Sequence, residues 1–382
     1  MRDLFLLDQD VTFLNHGSFG ACPRDVLDAQ HRWQLEMERN PVSFLGRRSA
    51  ELLSDARAKL GLMSGASGDN IIFVPNATTG CNIVAQSFPL DPGDEVLTTD
   101  LEYGACDAAW SQVCARRGAS YRRLEIPLPY ERETFVEHMM AAVGPRTRLI
   151  YVSHLTSNTA VILPVRELCA MARACGIATV VDGAHVPGHI ELNLEAVDAD
   201  FYIGNCHKWL CAPKGAGFLY ARPEHHAMLD APVISWGYGA NTDGRPEFAA
   251  YLGKTPFERK MQWQGTRDIS AWLSVPAAIK FQERHDWPAV RRRSHELALE
   301  ALQVLTERHR LRPIARDNDW AQMVAIPVPA QDPDELRRRL LEESRIEVPV
   351  TTHGDRVFVR VSVQGYNTSA DIDKLLSAPA LR

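Results

Sequence analysis

From Pro23 to Tyr220 the chain repeats one alternation: a short apolar run rich in β-branched residues, then a segment long enough for a helix. The strand-like runs span Ile71 to Val74, Glu95 to Thr98, Leu149 to Ser153, Ala178 to Val181, Phe201 to Ile203 and Ala216 to Tyr220. Helical spacing covers Val26 to Met37, Leu52 to Leu62, Glu133 to Val143 and Val165 to Cys175. Strands separated by helices cannot pair as hairpins. Right-handed crossovers instead set them side by side in parallel, with helices on both faces. The expectation is an α/β fold whose large domain, residues 23–262, holds a mainly parallel sheet and follows an N-terminal arm, residues 1–22.

After Tyr220 the pattern changes. Pro223, Pro232, Gly237, Gly239 and Gly244 punctuate a loop-rich stretch that leads to Trp263–Asp268 (WQGTRD). A helix from Ser270 to His285 follows, then a basic one from Ala289 to His309, whose Arg291-Arg292-Arg293 run reads as a solvated face. Met323 to Val328, Asp334 to Ser344 and Val357 to Val363 read strand, helix, strand. Residues 263–382 are therefore expected to form a small C-terminal α+β domain.

Composition narrows the partners. Forty-two Lys and Arg against 48 Asp and Glu leave a net charge of −6, which argues against a general nucleic-acid or membrane-surface binder and for a small-molecule partner. No apolar run reaches the roughly 18 residues of a membrane span, and Met1–Asp10 lacks a small-residue cleavage site, so the expected setting is cytoplasmic. Eight cysteines without a C-x-x-C pair read as reduced thiols, not as a metal site.

Three segments carry chemistry. Val180-Val181-Asp182-Gly183 ends an apolar strand on a carboxylate, which needs a cationic partner to stay ionised there. Lys208 follows another strand and the small polar residues before it, at a sheet edge where α/β proteins hold ligands. Val74-Pro75-Asn76-Ala77-Thr78-Thr79-Gly80 is a strand-to-helix junction whose amides and hydroxyls make an anion site. Taken singly, Lys208 reads as a surface lysine and Asn76 as a plain helix cap. Together they match pyridoxal phosphate (PLP), which needs an amine for a Schiff base and a carboxylate to keep its ring nitrogen protonated.

With these segments on the page, the sequence resembles the class V aminotransferase family of PLP-dependent fold-type I enzymes, most closely its isopenicillin N epimerase-like branch. The resemblance runs from about Phe13 to Asp373 through FLNHGSFGACP (13–23), NPVSFLGRR (40–48), NATTG (76–80), LEYGA (101–105), SHLTSNTAVILPV (153–165), VDGAHVPG (181–188), NCHKWLCAPKGAGFLY (205–220), WQGTRD (263–268) and VRVSVQGYNT (359–368). It implies a seven-stranded sheet, Lys208 as the Schiff-base lysine and Asp182 as the pyridinium partner. It also implies phosphate contacts from Ala77, Thr78 and Thr79, further cofactor contacts from Asn205 and His207, and a ring stacked on the cofactor at Tyr103. His185 falls near the cofactor's phenolic oxygen. Ser157 stands where relatives often have Asn, which leaves Ser157, Thr156 and Asn158 as alternatives for one contact. Gly265 and Thr266 are implied to reach the phosphate of a neighbouring subunit, hence a homodimer with shared sites, and Arg360 to grip the substrate carboxylate.

The reaction is left open among classes. Epimerisation would use Lys208 and a second acid/base, Tyr103 or His16; β-elimination by a carbon–sulfur lyase, transamination and non-catalytic PLP binding are the alternatives. Cysteine desulfurases of the family that the sequence resembles carry a nucleophilic cysteine shortly before the carboxylate-binding arginine; the corresponding stretch here, Pro349–Arg356, has none, which by that resemblance argues against persulfide chemistry. His16, Phe44 and Arg47 are expected where the far end of the substrate is read.

Overall fold

Seven strands form one sheet in the computed structural model, which describes residues 1–238 and 251–382. Their order is Ile71–Val74, Gly217–Ala221, Phe201–Asn205, Ala178–Gly183, Thr147–Ser153, Glu95–Thr99 and Ser120–Leu124. All neighbouring pairs are parallel except those made by Gly217–Ala221, which runs antiparallel to both neighbours. Consecutive strand residues divide between two apolar clusters: Phe73, Val181 and Phe218 pack on one face, Val74, Val180 and Leu219 on the other. Helices cover both faces, and strands buried on both sides read as continuous apolar runs. The seventh strand, Ser120–Leu124 (SYRRL), escaped the periodicity because it sits at the sheet's edge and is largely polar and half-exposed.

A second, three-stranded antiparallel sheet orders Val350–His353, Arg356–Ser362 and Met323–Val328, with helix Trp287–His309 across it. Helix Ser369–Ser377 and strand Val350–His353 were not evident from the sequence. The continuous helix expected from Ser270 to His285 is broken at Ser274 into Ser270–Leu273 and Val275–Arg284. Pro276 has no N–H to donate one turn back, and its ring crowds the carbonyl there. The expected turn glycines Gly239 and Gly244 lie outside the described residues. Among the described residues no helix is long and apolar enough to cross a membrane.

The N-terminal arm joins the three-stranded sheet to the lysine loop and forms a two-stranded sheet of its own with Ile346–Glu347. Thr12–Phe13 pairs in parallel with Ile346–Glu347, and Asn15 bridges to Ser362. The arm then turns at Gly20, whose φ of 70° is left-handed and whose missing Cβ leaves room for the carbonyls of His207 and Lys208. Gly20→Ala is expected to cost about 2 kcal/mol or more, from strain plus that overlap. Thermal unfolding checks it, and an unchanged Tm would show that the arm does not bear on the lysine loop.

Candidate active site

Strands Ala178–Gly183 and Phe201–Asn205 lie in parallel with Asp182 opposite Ile203, so Asp182 and the loop after Asn205 leave the sheet at the same edge. A cavity of about 340 Å³ opens there, lined by both Asp182 and Lys208. Asp182 is 3% exposed; its Oδ1 accepts the Ala184 N–H at 2.8 Å and its Oδ2 the Tyr151 hydroxyl at 3.3 Å. Burial pushes this carboxyl up, opposed by the Ala184 N–H, the Lys208 charge and the Tyr151 hydroxyl.

The Lys208 side chain keeps some exposure to the cavity, but protein surrounds its amine. Nζ lies 3.2 Å from His185 Nε2. Burial first, and the Arg360 charge second, pull the lysine down to about 8, against Asp182. Asn205 Oδ1 accepts the Ala77 N–H at 2.8 Å, which ties the lysine's strand to the start of helix Ala77–Ser87.

That helix start is prepared for an anion. Asn76 caps it, its side-chain oxygen accepting from Thr79 N at 2.9 Å and Thr79 Oγ1 at 3.1 Å. Among the first three amides this leaves the Thr78 N–H without a partner among the described residues, at the positive end of the helix dipole. Ala77 and Thr78 line the cavity with His207, whose Nδ1 is held 2.9 Å from the Ala216 carbonyl. Thr79 does not line it. Its amide and hydroxyl are taken up by the cap, which corrects the direct phosphate contact expected of it.

On the opposite requirement, a grip for an acid, Arg360 is 4% exposed and forms no ion pair among the described residues. Its Nη1 donates to the Ser157 carbonyl at 2.7 Å and to Ser157 Oγ at 3.3 Å, and its Nη2 to Ser18 Oγ at 3.0 Å. Among the described residues Nε has no partner, and burial pulls the group down to about 10. Ser157 and Ser18 line the cavity. Of the three alternatives at this point, Ser157 is the one that does so; Thr156 bonds Thr159 and Val161, and Asn158 is exposed. Tyr103, 44% exposed, also lines the cavity.

Five further expected residues, His16, Phe44, Arg47, Gly265 and Thr266, do not line the cavity. His16 is fully buried, with Nε2 on the Lys208 carbonyl at 3.1 Å and Nδ1 accepting the Ala21 N–H at 3.3 Å, so neither nitrogen is free to act on a substrate. Arg47 is exposed on the Phe44–Arg48 turn, outside the cavity, because Phe44 turns inward onto Trp33 and directs the arginines to solvent. Gly265 and the exposed Thr266 do not line the cavity of their own chain. Sequence reasoning missed Tyr151, Ser18 and Glu102. Glu102, immediately before Tyr103, is buried and accepts from Thr99 Oγ1 at 2.7 Å and from the cavity-lining Ser153 Oγ at 2.6 Å. Burial drives it up to about 8 against those two donors, with Asp182 adding to the rise.

Placed in this cavity, a phosphate at Thr78, a ring nitrogen at Asp182 and an aldehyde at Lys208 would each meet the group its chemistry requires, so the residues fit pyridoxal 5′-phosphate. Known proteins agree with that class of site. The chain belongs to the class V aminotransferase family, whose model matches residues 14–375. It is 38% identical to the isopenicillin N epimerase of Streptomyces clavuligerus, over 99% of this chain and 96% of that one. A probable chloroplastic L-cysteine desulfhydrase of Arabidopsis thaliana is 30% identical, over 97% and 82%. Among solved structures, a mutant of C-DES with glycine covalently linked to its PLP cofactor superposes with a TM-score of 0.83 at 25% identity, covering 100% of this chain and 99% of that one.

Glu102 gives the site a pH signature. With its folded value near 8 and an ordinary value of 4.5, the folded state keeps a proton that the unfolded chain loses, so stability falls as pH rises across that window. Glu102→Gln is expected to remove this contribution to the slope, gaining on the order of 5 kcal/mol over the wild type at the alkaline end relative to the acidic end. Parallel unfolding curves for both proteins at every pH would show that Glu102 is ionised throughout.

Proposed function

We propose that this chain is a PLP-dependent enzyme acting at the α-carbon of an amino acid, and that it is an amino-acid epimerase like the isopenicillin N epimerases it resembles. The observation that carries the substrate class is Arg360, a buried guanidinium beside the cavity with no carboxylate partner among the described residues. A buried cation without a counter-charge is costly, and an amino-acid carboxylate would supply one through two parallel hydrogen bonds.

Bound PLP supplies the electron sink that makes the α-proton of an amino acid acidic. Arg360 fixes the carboxylate and so orients the α-carbon in the cavity. Lys208, lowered to about 8, is uncharged in about a tenth of molecules at pH 7, far more than an ordinary lysine, and takes the proton at Nζ. Asp182, supported by Tyr151 and the Ala184 amide, holds negative charge at the buried end of the cavity. Epimerisation also needs an acid on the other face. Since His16 is committed elsewhere, Tyr103, which lines the cavity and is partly exposed, is the group whose hydroxyl supplies that proton.

A second reading, β-elimination of a sulfur substituent, is supported by the desulfhydrase relative and needs only Lys208 as base plus an acid for the leaving group. No cysteine lines the cavity among the described residues, which weighs against persulfide transfer. We further propose a homodimer in which Gly265 and the exposed Thr266 complete the partner's phosphate site. The eight free cysteines support a reducing, cytoplasmic setting.

The test is a panel of amino acids incubated with the PLP-loaded protein in deuterated water. We expect α-hydrogen exchange and interconversion of configuration without release of sulfide or keto acid. Arg360→Lys should raise KM by roughly tenfold or more, the scale of 1–3 kcal/mol for a lost charge-assisted fork. Sulfide and keto acid formed as fast as exchange would move the assignment to the lyase.

A further inference from the structure

Trp209 follows Lys208 directly and is fully buried. Its indole Nε1–H, a group that can only donate, bonds His185 Nδ1 at 3.3 Å. The imidazole of His189 stacks on that indole, centroids 3.7 Å apart and planes 12° from parallel. His189 is itself fixed. Its Nε2 accepts the Gln322 N–H at 2.9 Å, so Nδ1 carries the proton and donates to the His185 carbonyl at 2.9 Å.

A neutral imidazole has one N–H. With the Nδ1 lone pair of His185 taken by the indole, that hydrogen sits on Nε2, the nitrogen 3.2 Å from Lys208 Nζ. An ammonium has donors and no lone pair, so the contact is favourable only when the lysine is an amine.

We propose that Trp209 is a positioning residue that locks His185 as its Nε2–H tautomer, making His185 a hydrogen-bond donor to Lys208 Nζ and biasing that lysine toward the uncharged amine. The surroundings agree. Burial chiefly opposes a second proton on His185, and the Arg360 charge opposes it further; Lys208, when charged, adds to this. Around Lys208, burial and then the Arg360 charge disfavour the ammonium, with Asp182 opposing. Freed from the indole, His185 could move its proton to Nδ1 and turn a lone pair toward Nζ, which would favour the ammonium. The lock concerns the protein's own protons and stands whichever reaction the site performs. Only the use of the amine to capture PLP rests on the function proposed above.

The experiment uses the cofactor-free protein labelled with ¹⁵N-histidine, the His185 signals being assigned with His185→Gln. The wild type should show a protonated Nε2 and a bare Nδ1 throughout the neutral pH range; a protonated Nδ1 would overturn the proposal. Trp209→Phe keeps a ring for His189 to stack on but has no N–H. It should populate the Nδ1–H form and raise the pH midpoint for borohydride fixation of PLP to Lys208 by about one unit. A folded Trp209→Phe with the wild-type tautomer and midpoint would also overturn it. Should that variant fail to fold, the wild-type spectrum alone decides. Because the spectrum needs no cofactor, a protein that bound no PLP would refute the proposed function and leave this result readable.

Discussion

An amine drawn out of water loses the hydration that keeps it charged, and at Lys208 no ion-paired carboxylate among the described residues replaces it. Distant parts of the chain converge to hold that one group. Gly20 lets the N-terminal arm pass against the carbonyls of His207 and Lys208, and His16 bonds the second of these. Asn205 fastens the strand before the lysine to the helix that begins at Ala77. Lys214, six residues further on, donates from Nζ to the Gly20 carbonyl at 2.6 Å and closes the loop against the arm. Two of these ties act on the carbonyls of His207 and Lys208 and two hold the segments on either side, so the amine is aimed by backbone whose position several elements determine.

The charges around the cavity are arranged for a ligand more than for the empty protein. Arg360 donates to neutral oxygens of Ser157 and Ser18, and its Nε donates to nothing among the described residues. Asp182 and Glu102, two buried carboxyls, are each driven up by burial, and the charge of Asp182 raises Glu102 further. Such groups weaken the folded state and are tolerated where a bound molecule relieves them, which is the usual opposition of stability and function at active sites. Thr78 belongs to the same pattern, since its unpaired amide at a helix start is an unmet donor until an anion arrives.

Much of this was legible before the structure. Asp182 could be read from its place at the end of an apolar strand, and Lys208 from its position after another, because strand ends are set by local periodicity. The family resemblance then supplied Arg360 and Tyr103, whose roles no local pattern reveals. What stayed hidden depends on distance in sequence. Tyr151 reads as one more apolar strand residue until its hydroxyl is found on Asp182, 31 positions away, and Glu102 meets Ser153 across 51. Thr79 was misread for a local reason: a threonine near a helix start can bind an anion or serve the cap, and Asn76 decides in favour of the cap. The edge strand Ser120–Leu124 was missed because an edge tolerates the arginines that a central strand would exclude.

The central claim is that one cavity holds PLP between Thr78, Asp182 and Lys208 while Arg360 receives the carboxylate of an amino acid. A crystal structure of the PLP-loaded protein with an unreactive amino-acid analogue tests it most directly. The account predicts the ring nitrogen within hydrogen-bond distance of Asp182, the phosphate on the Thr78 amide, and both carboxylate oxygens on the Arg360 guanidinium. A carboxylate bound elsewhere, with Arg360 still bonded only to Ser157 and Ser18, would contradict it.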